Sequence, residues 1–115
     1  MDEATRDVGN DVGRALELAV VTIRFDAADG DALLAVLSKY VVMARMVDGC
    51  RNIDLCASVT QPGRYLLIQK WDSAGHQRAH FDSDVMVEMA TSCAGLLTAA
   101  PDIDLWDGPS IHDLA

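Results

Sequence analysis

The sequence predicts an α+β domain in which a four-stranded antiparallel sheet carries its helices on one face. Segments with the two-residue alternation of strands and segments with the 3.6-residue repeat of helices follow one another along the chain. Their order is strand, helix, strand, strand, helix, strand. The chain has 115 residues, half of them hydrophobic, which is enough for one core and too little for two.

The first strand and the first helix follow an N-terminal segment rich in acidic residues. Residues 16–25 are rich in Val and Ile and too short for a buried helix of ordinary length, so they predict a strand. A helix is predicted after Asp29 and Gly30, with an apolar stripe at helical spacing. The stripe residues are Leu33, Val36, Leu37, Tyr40, Val41 and Ala44. The opposite side of this helix is also apolar, which indicates a subunit contact or a ligand cavity. Its residues are Leu34, Val42, Met43 and Met46.

Two alternating segments predict a hairpin in the middle of the chain. Residues 52–59 and 64–71 each alternate, and Gln-Pro-Gly at 61–63 predicts the turn between them. One face of the first strand carries Ile53, Leu55, Ala57 and Val59, and one face of the second carries Tyr65, Leu67, Gln69 and Trp71.

The last third of the chain predicts two helices and a final strand. A short helix is expected over residues 73–81 and a longer one over 84–97, stopped by Pro101, before a strand at 103–106. The stripe of the longer helix is Met86, Met89, Ala90, Cys93 and Leu97. This order of elements is the split β-α-β pattern of ferredoxin-like domains.

The same architecture leaves one sheet face bare, and a homodimer would cover it. The predicted domain spans residues 15–108, with an acidic mobile tail at 1–14 and a frayed end at 109–115.

Charge and composition narrow the possible partners and the cell compartment. Nine Lys and Arg against eighteen Asp and Glu give a formal charge of -9, which disfavours nucleic acid and anionic membranes. The sequence has no apolar run of membrane-spanning length and no secretory signal at its start, so we expect a cytoplasmic protein. Three cysteines without a close paired spacing predict free thiols.

A motif between residues 49 and 81 points to a known family. Gly49 and Cys50 follow the first helix, and an apolar strand ends in Trp71. Ala-His-Phe then occupies 79–81, with the His nine residues after the Trp. The segment resembles the antibiotic biosynthesis monooxygenase family, whose members form dimeric α/β barrels. The resemblance implies a homodimer that inserts oxygen into an electron-rich, polycyclic aromatic substrate without metal, flavin or haem.

The chain also departs from the family pattern. Gln69 stands where the family often has Glu, and Leu67 stands where quinone-forming members have Asn. Those members also use an Arg in the long helix, whereas no Lys or Arg follows Arg78 here. The haem-degrading branch needs an Asn on the first strand, which carries Thr22 and Arg24 instead, and a haem-ligating His that the long helix lacks. The alternative function is therefore a non-catalytic small-molecule-binding or interaction dimer on the same fold.

The resemblance implies that three residues carry the reaction. Trp71 would wall the pocket, while His80 and Gln69 would handle protons and hydrogen bonds. Each aromatic ring has a structural alternative, because a strand-end indole can cap the core and a helix-end imidazole can bond a backbone carbonyl.

Five further residues are candidates for substrate binding. They are Tyr65, Leu67, Met43, Met86 and Arg24. Tyr65 shares a strand face with Trp71, Arg24 ends the first strand as an anion partner, and thioethers suit flat aromatic ligands. Packing and a surface position are the alternatives.

His76 and His80 stand four residues apart on a helix, with acidic residues at 72 and 84. This spacing could hold a metal ion, but a row from one segment lacks a ligand from another element and is more typical of a solvated face. We expect no metal and no other cofactor.

Overall fold

The computed structural model describes residues 18–107 of the chain. The predicted tails at 1–14 and 109–115 lie outside the described residues, as do residues 16 and 17 of the predicted first strand.

Four strands form one sheet. They are β1 (Ala19–Asp26), β2 (Cys50–Ala57), β3 (Arg64–Trp71) and β4 (Asp102–Asp107). Their spatial order is β2-β3-β1-β4 and every neighbouring pair is antiparallel. The structure therefore confirms the α+β, ferredoxin-like fold, and the bounds of β3 are those that the alternation predicts.

Three helices accompany the sheet: α1 (Gly30–Ala44), α2 (Ala74–Phe81) and α3 (Asp84–Cys93). Each begins with a side-chain oxygen that accepts a hydrogen bond from a backbone N–H of the first turn, which satisfies a donor that has no partner within the helix. The three capping residues are Asp29, Ser73 and Ser83. The predicted α1 stripe is confirmed, since all its members are buried except Val36, which is half-buried.

Two predicted element ends are wrong. The last helix ends at Cys93 rather than residue 97, because Gly95 disfavours helix and Leu97 pairs with Ala27 in an isolated β-bridge. The second strand ends at Ala57, so Val59 lies in the following loop and is 98% exposed.

The core lies between the helices and one face of the sheet. On β1, Val21, Ile23 and Phe25 are fully buried, and on β3 the face that carries Gln69 and Trp71 is buried in the same way. The other β3 face is only partly buried, and its residues are Arg64, Leu66, Ile68 and Lys70. One sheet face is thus covered by helices, as predicted, and the other is left largely open.

Candidate functional site

Four polar and aromatic side chains from three elements meet inside the core. Tyr40 lies on the buried stripe of α1, Gln69 and Trp71 lie two residues apart on the helix-facing side of β3, and His80 lies at the end of α2. All four are at most 3% exposed. We call these four residues the relay.

The relay is a continuous chain of hydrogen bonds. The Trp71 indole Nε1 donates to Gln69 Oε1 at 3.0 Å, and Gln69 Nε2 donates to the Tyr40 hydroxyl at 2.7 Å. The same hydroxyl lies 2.6 Å from Nε2 of His80. The His80 ring packs on the Trp71 indole, with ring centroids 4.6 Å apart, so the chain closes into a compact cluster.

The direction of each bond follows from the indole. An indole N–H can only donate, which fixes the amide of Gln69 with its oxygen toward Trp71 and its nitrogen toward Tyr40. The Tyr40 oxygen then accepts from the amide, and its own proton is available to His80 Nε2. A neutral imidazole that accepts at Nε2 carries its proton on Nδ1.

Burial keeps the two titratable members uncharged at neutral pH. Desolvation lowers the pKa of His80 and raises the pKa of Tyr40, because the charged form of each group loses its hydration in the core. His80 Nδ1 is buried and has no hydrogen-bond partner within residues 18–107. The relay therefore ends in one unpaired N–H.

An apolar cavity of about 480 Å³ lies beside the relay, between β1, β4 and α3. Among the described residues, no charged side chain lines it. Its lining residues are Ile23, Phe25, Met86, Met89, Ala90, Cys93, Ala94, Leu97, Thr98, Ala99, Ala100, Pro101 and Ile103. A cavity with such walls suits an uncharged, apolar small molecule.

The relay and the cavity occupy neighbouring positions on the same sheet face. Val21 pairs with Gln69 in the β1–β3 register, and Ile23, two residues further along β1, lines the cavity. Two residues along a strand span about 7 Å. On the helical side, the Ser83 hydroxyl donates to the His80 carbonyl and accepts from the backbone N–H of Met86, a lining residue. None of the four relay residues lines the cavity itself.

The structure brings some of the predicted site residues together. Trp71, Gln69 and His80 form one cluster, and Met86 lines the apolar cavity. Met43 lines a separate groove of about 200 Å³ between α1 and α3, which Tyr40 of the relay also lines. Leu67 is fully buried in the core and lines no cavity among the described residues.

Two predicted substrate-binding residues lie away from the relay. The Tyr65 hydroxyl donates to the Gly30 carbonyl at 3.0 Å, at the opposite end of β3 from Trp71. Arg24 is exposed on the open sheet face and pairs with Asp102 at 3.5 Å. The structure therefore places these two side chains at the start of α1 and on the sheet surface, and the surface position is the alternative predicted for Arg24.

The two histidines of α2 lie in different environments. His76 bonds the Ser73 hydroxyl at 2.8 Å and lies 3.6 Å from Asp48, whereas His80 turns into the core. No group of three His, Cys, Asp or Glu within residues 18–107 is arranged to hold a metal ion. The alternative reading of His80 is also corrected, since its ring bonds a tyrosine hydroxyl rather than a backbone carbonyl. Cys50, Cys56 and Cys93 are free thiols, as predicted.

Sequence reasoning missed Tyr40 as a member of the site. The residue is predicted as part of an apolar stripe, but a hydroxyl on a buried aliphatic stripe needs a polar partner. Gln69, a polar residue on the buried face of a strand, is the matching signal from the other side of the core. The sequence alone did not indicate that Tyr40 and Gln69 form a hydrogen bond.

A sheet in the order β2-β3-β1-β4 with its helices on one face defines a ferredoxin-like α+β protein, here with an apolar cavity between the layers. Residues 18–91 match the antibiotic biosynthesis monooxygenase family. The chain belongs to this family.

Solved structures support the fold. A Nitrosomonas europaea protein of unknown function aligns with a TM-score of 0.77 at 16% identity, over 88% of this chain and 98% of its own. A Mycobacterium tuberculosis protein aligns with a TM-score of 0.71 at 24% identity, over 85% and 99%. An antibiotic biosynthesis monooxygenase aligns with a TM-score of 0.70 at 19% identity, over 78% and 96%.

No curated protein matches the sequence of this chain. Between residues 18 and 107, no helix has both the length and the apolar character needed to cross a membrane.

Proposed function

We propose that the protein is a cofactor-independent monooxygenase that acts on an electron-rich, uncharged aromatic molecule bound in the apolar cavity. The observation that carries this proposal is the cavity itself, whose described lining in a chain of this family includes buried residues of β1 and exposed residues of α3 and β4, and no charged residue. In the proposed reaction a phenolic ring becomes a quinone. One atom of O₂ enters the ring as a carbonyl and the other leaves as water, and the substrate supplies all four electrons.

The relay would serve this reaction from the end of the cavity near Met86. His80 is a neutral imidazole in a dry environment, where hydrogen bonds to developing charge are strong. Gln69 holds Tyr40, and Tyr40 holds the imidazole. Trp71 fixes the orientation of the Gln69 amide and packs on the ring of His80. Because the relay is buried, a substrate reaches it only when flexible side chains such as methionines move aside.

The test combines oxygen uptake with a variant that fills the cavity. Wild-type protein should consume O₂ with members of a panel of naphthols and anthrones. Ala90→Leu should weaken both binding and uptake, because Ala90 lines the cavity and the larger side chain reduces its volume. Ala79→Leu is the matched control: Ala79 is exposed on α2 and lines none of the cavities described above. Equal activity in the two variants would refute the assignment of the cavity.

A second candidate is a binding protein without catalysis. It is favoured by the complete burial of the relay and by Leu67, which fills the core where a polar residue would face the substrate. In that case, aromatic ligands should bind more weakly to Ala90→Leu than to the wild type, while no panel member should cause oxygen uptake.

We also propose that two copies associate through the open sheet face. This face presents Leu66 and Ile68 only partly buried, and Trp106 is 53% exposed. Dimers of this fold family pair through their sheets, and a mixed apolar face of this kind is suited to such a contact. Light scattering should give a dimer for the wild type and a monomer for Ile68→Glu. Val59→Glu, the same change type in an exposed loop, should stay dimeric; a monomeric wild type would refute the proposal.

A further inference from the structure

We infer that His80 acts on a ligand as a hydrogen-bond donor through Nδ1, so that the ligand of the neighbouring cavity carries a neutral acceptor oxygen, as in a carbonyl group. The position of the ligand rests on the proposed function. The donor character of His80 does not, because it follows from the hydrogen bonds of the relay.

The hydrogen-bond direction at Trp71 fixes the direction of the other hydrogen bonds in the relay. The Trp71 indole has a hydrogen to give and no lone pair to offer, so it sets the orientation of the Gln69 amide. The amide nitrogen donates to the Tyr40 oxygen, and the phenolic proton is directed to Nε2 of His80. The remaining imidazole proton therefore lies on Nδ1, which has no acceptor within residues 18–107.

The opposite tautomer leaves more groups unsatisfied. With its proton on Nε2, His80 would donate to a Tyr40 oxygen that already accepts from Gln69. The phenolic proton would then have no acceptor among the described relay atoms, and Nδ1 would keep an unused lone pair. Two buried groups without partners cost more free energy than one, which favours the Nδ1–H form.

An unpaired buried N–H defines the ligand that complements it. A carbonyl oxygen would satisfy the donor, whereas a hydrocarbon of the same shape would leave it unpaired. A carboxylate would also accept the bond, but it would lose its hydration at the buried Nδ1 atom, with no cationic residue among the described lining of the cavity to compensate. The surroundings therefore select a neutral acceptor.

The amide of Gln69 determines which ring nitrogen of His80 carries the proton. In Gln69→Glu, a carboxylate would accept from both Trp71 and Tyr40. The Tyr40 oxygen would then be free to accept from Nε2 of His80, and Nδ1 would become an acceptor. A single substitution thus converts His80 from a donor to a base at Nδ1, and Gln69, Tyr40 and Trp71 are positioning residues.

Nitrogen-15 NMR of the histidine rings tests the donor assignment directly. Wild-type His80 should be the Nδ1–H tautomer at neutral pH, and Gln69→Glu should shift it to the Nε2–H or the doubly protonated form. Gln77→Glu is the matched control, since Gln77 is a buried amide on α2 that belongs to no bond of the relay. It should leave the His80 signals unchanged. An Nε2–H tautomer in the wild type would overturn the inference, even if the substituted proteins failed to fold.

Two ligands of equal shape test the acceptor. 1-Tetralone should bind roughly three- to tenfold tighter than tetralin, which lacks the carbonyl, and only 1-tetralone should shift the Nδ1–H signal of His80. Equal affinities with no shift would contradict the inference. Failure of both compounds to bind would instead refute the proposed use of the cavity and, with it, the inference that the ligand carries a neutral acceptor. The tautomer measurement would still decide whether His80 Nδ1 is a donor.

Discussion

Replacing Tyr40 by Phe removes the one oxygen that joins both ends of the relay. The hydroxyl accepts from Gln69 and lies 2.6 Å from His80 Nε2, so its loss leaves one buried amide hydrogen and one buried ring nitrogen without a partner. Each unsatisfied buried group costs about 1–2 kcal/mol, which gives a loss of roughly 2–4 kcal/mol in the free energy of unfolding. For a domain of this size, the melting temperature should fall by at least about 8 °C.

Tyr65→Phe is the matched control for this change. It removes the same hydroxyl group, but the Tyr65 hydroxyl makes one partly buried bond to the Gly30 carbonyl, and that carbonyl can accept from water instead. Its loss should cost about 0.5–1.5 kcal/mol. Urea unfolding followed by circular dichroism measures both variants against the wild type. Equal destabilisation by the two substitutions would refute the view that the relay is a closed network with no substitute partners.

Three further outcomes are expected. The unfolding free energy should decrease as the pH falls below about 6.5, because the lowered pKa of buried His80 lets the unfolded chain bind its proton first. His80→Gln should flatten this dependence in unfolding curves between about pH 7.5 and 5. Gly49→Ala should lower the melting temperature, since Gly49 has φ +84 and an added Cβ would overlap the His76 ring, whereas Gly95→Ala meets no atom within 4 Å and should be neutral or stabilising. Alkylation by a maleimide, followed by peptide mass spectrometry, should modify exposed Cys56 before the other two cysteines, whose pKa is raised by burial.

The elements that the sequence predicted well are those in which local pattern and burial agree. Every second residue of β3 faces the core, so strict alternation from Arg64 to Trp71 located both ends of the strand. The end of α3 was misplaced because the apolar repeat continues to Leu97, although the backbone of Leu97 pairs with Ala27 in a β-bridge instead of continuing the helix. The apolar repeat shows which residues are apolar, but it does not show which part of the fold buries them.

The candidate site was predicted only in part for a related reason. Gln69, Trp71 and His80 were identified from a motif that lies within about thirty residues of sequence. Tyr40 joins them from 29 residues before Gln69, through contacts that depend on how α1 crosses the sheet. The sequence also did not indicate that the Arg24 guanidinium pairs with Asp102, because that contact depends on which strands are neighbours in the sheet.

The composition of β4 has a consequence for how this protein responds to salt. β4 is an edge strand of the described sheet, and all six of its residues are exposed, including three large apolar ones. Exposed strand edges recruit other strands and start aggregation, and charged side chains are the usual protection. Here aspartates at 102, 104 and 107 alternate with or flank the apolar residues, so like charges repel a second copy of the same edge. Salt screens charges that lie in solvent, so the folded protein should become more prone to edge-to-edge association as the ionic strength rises.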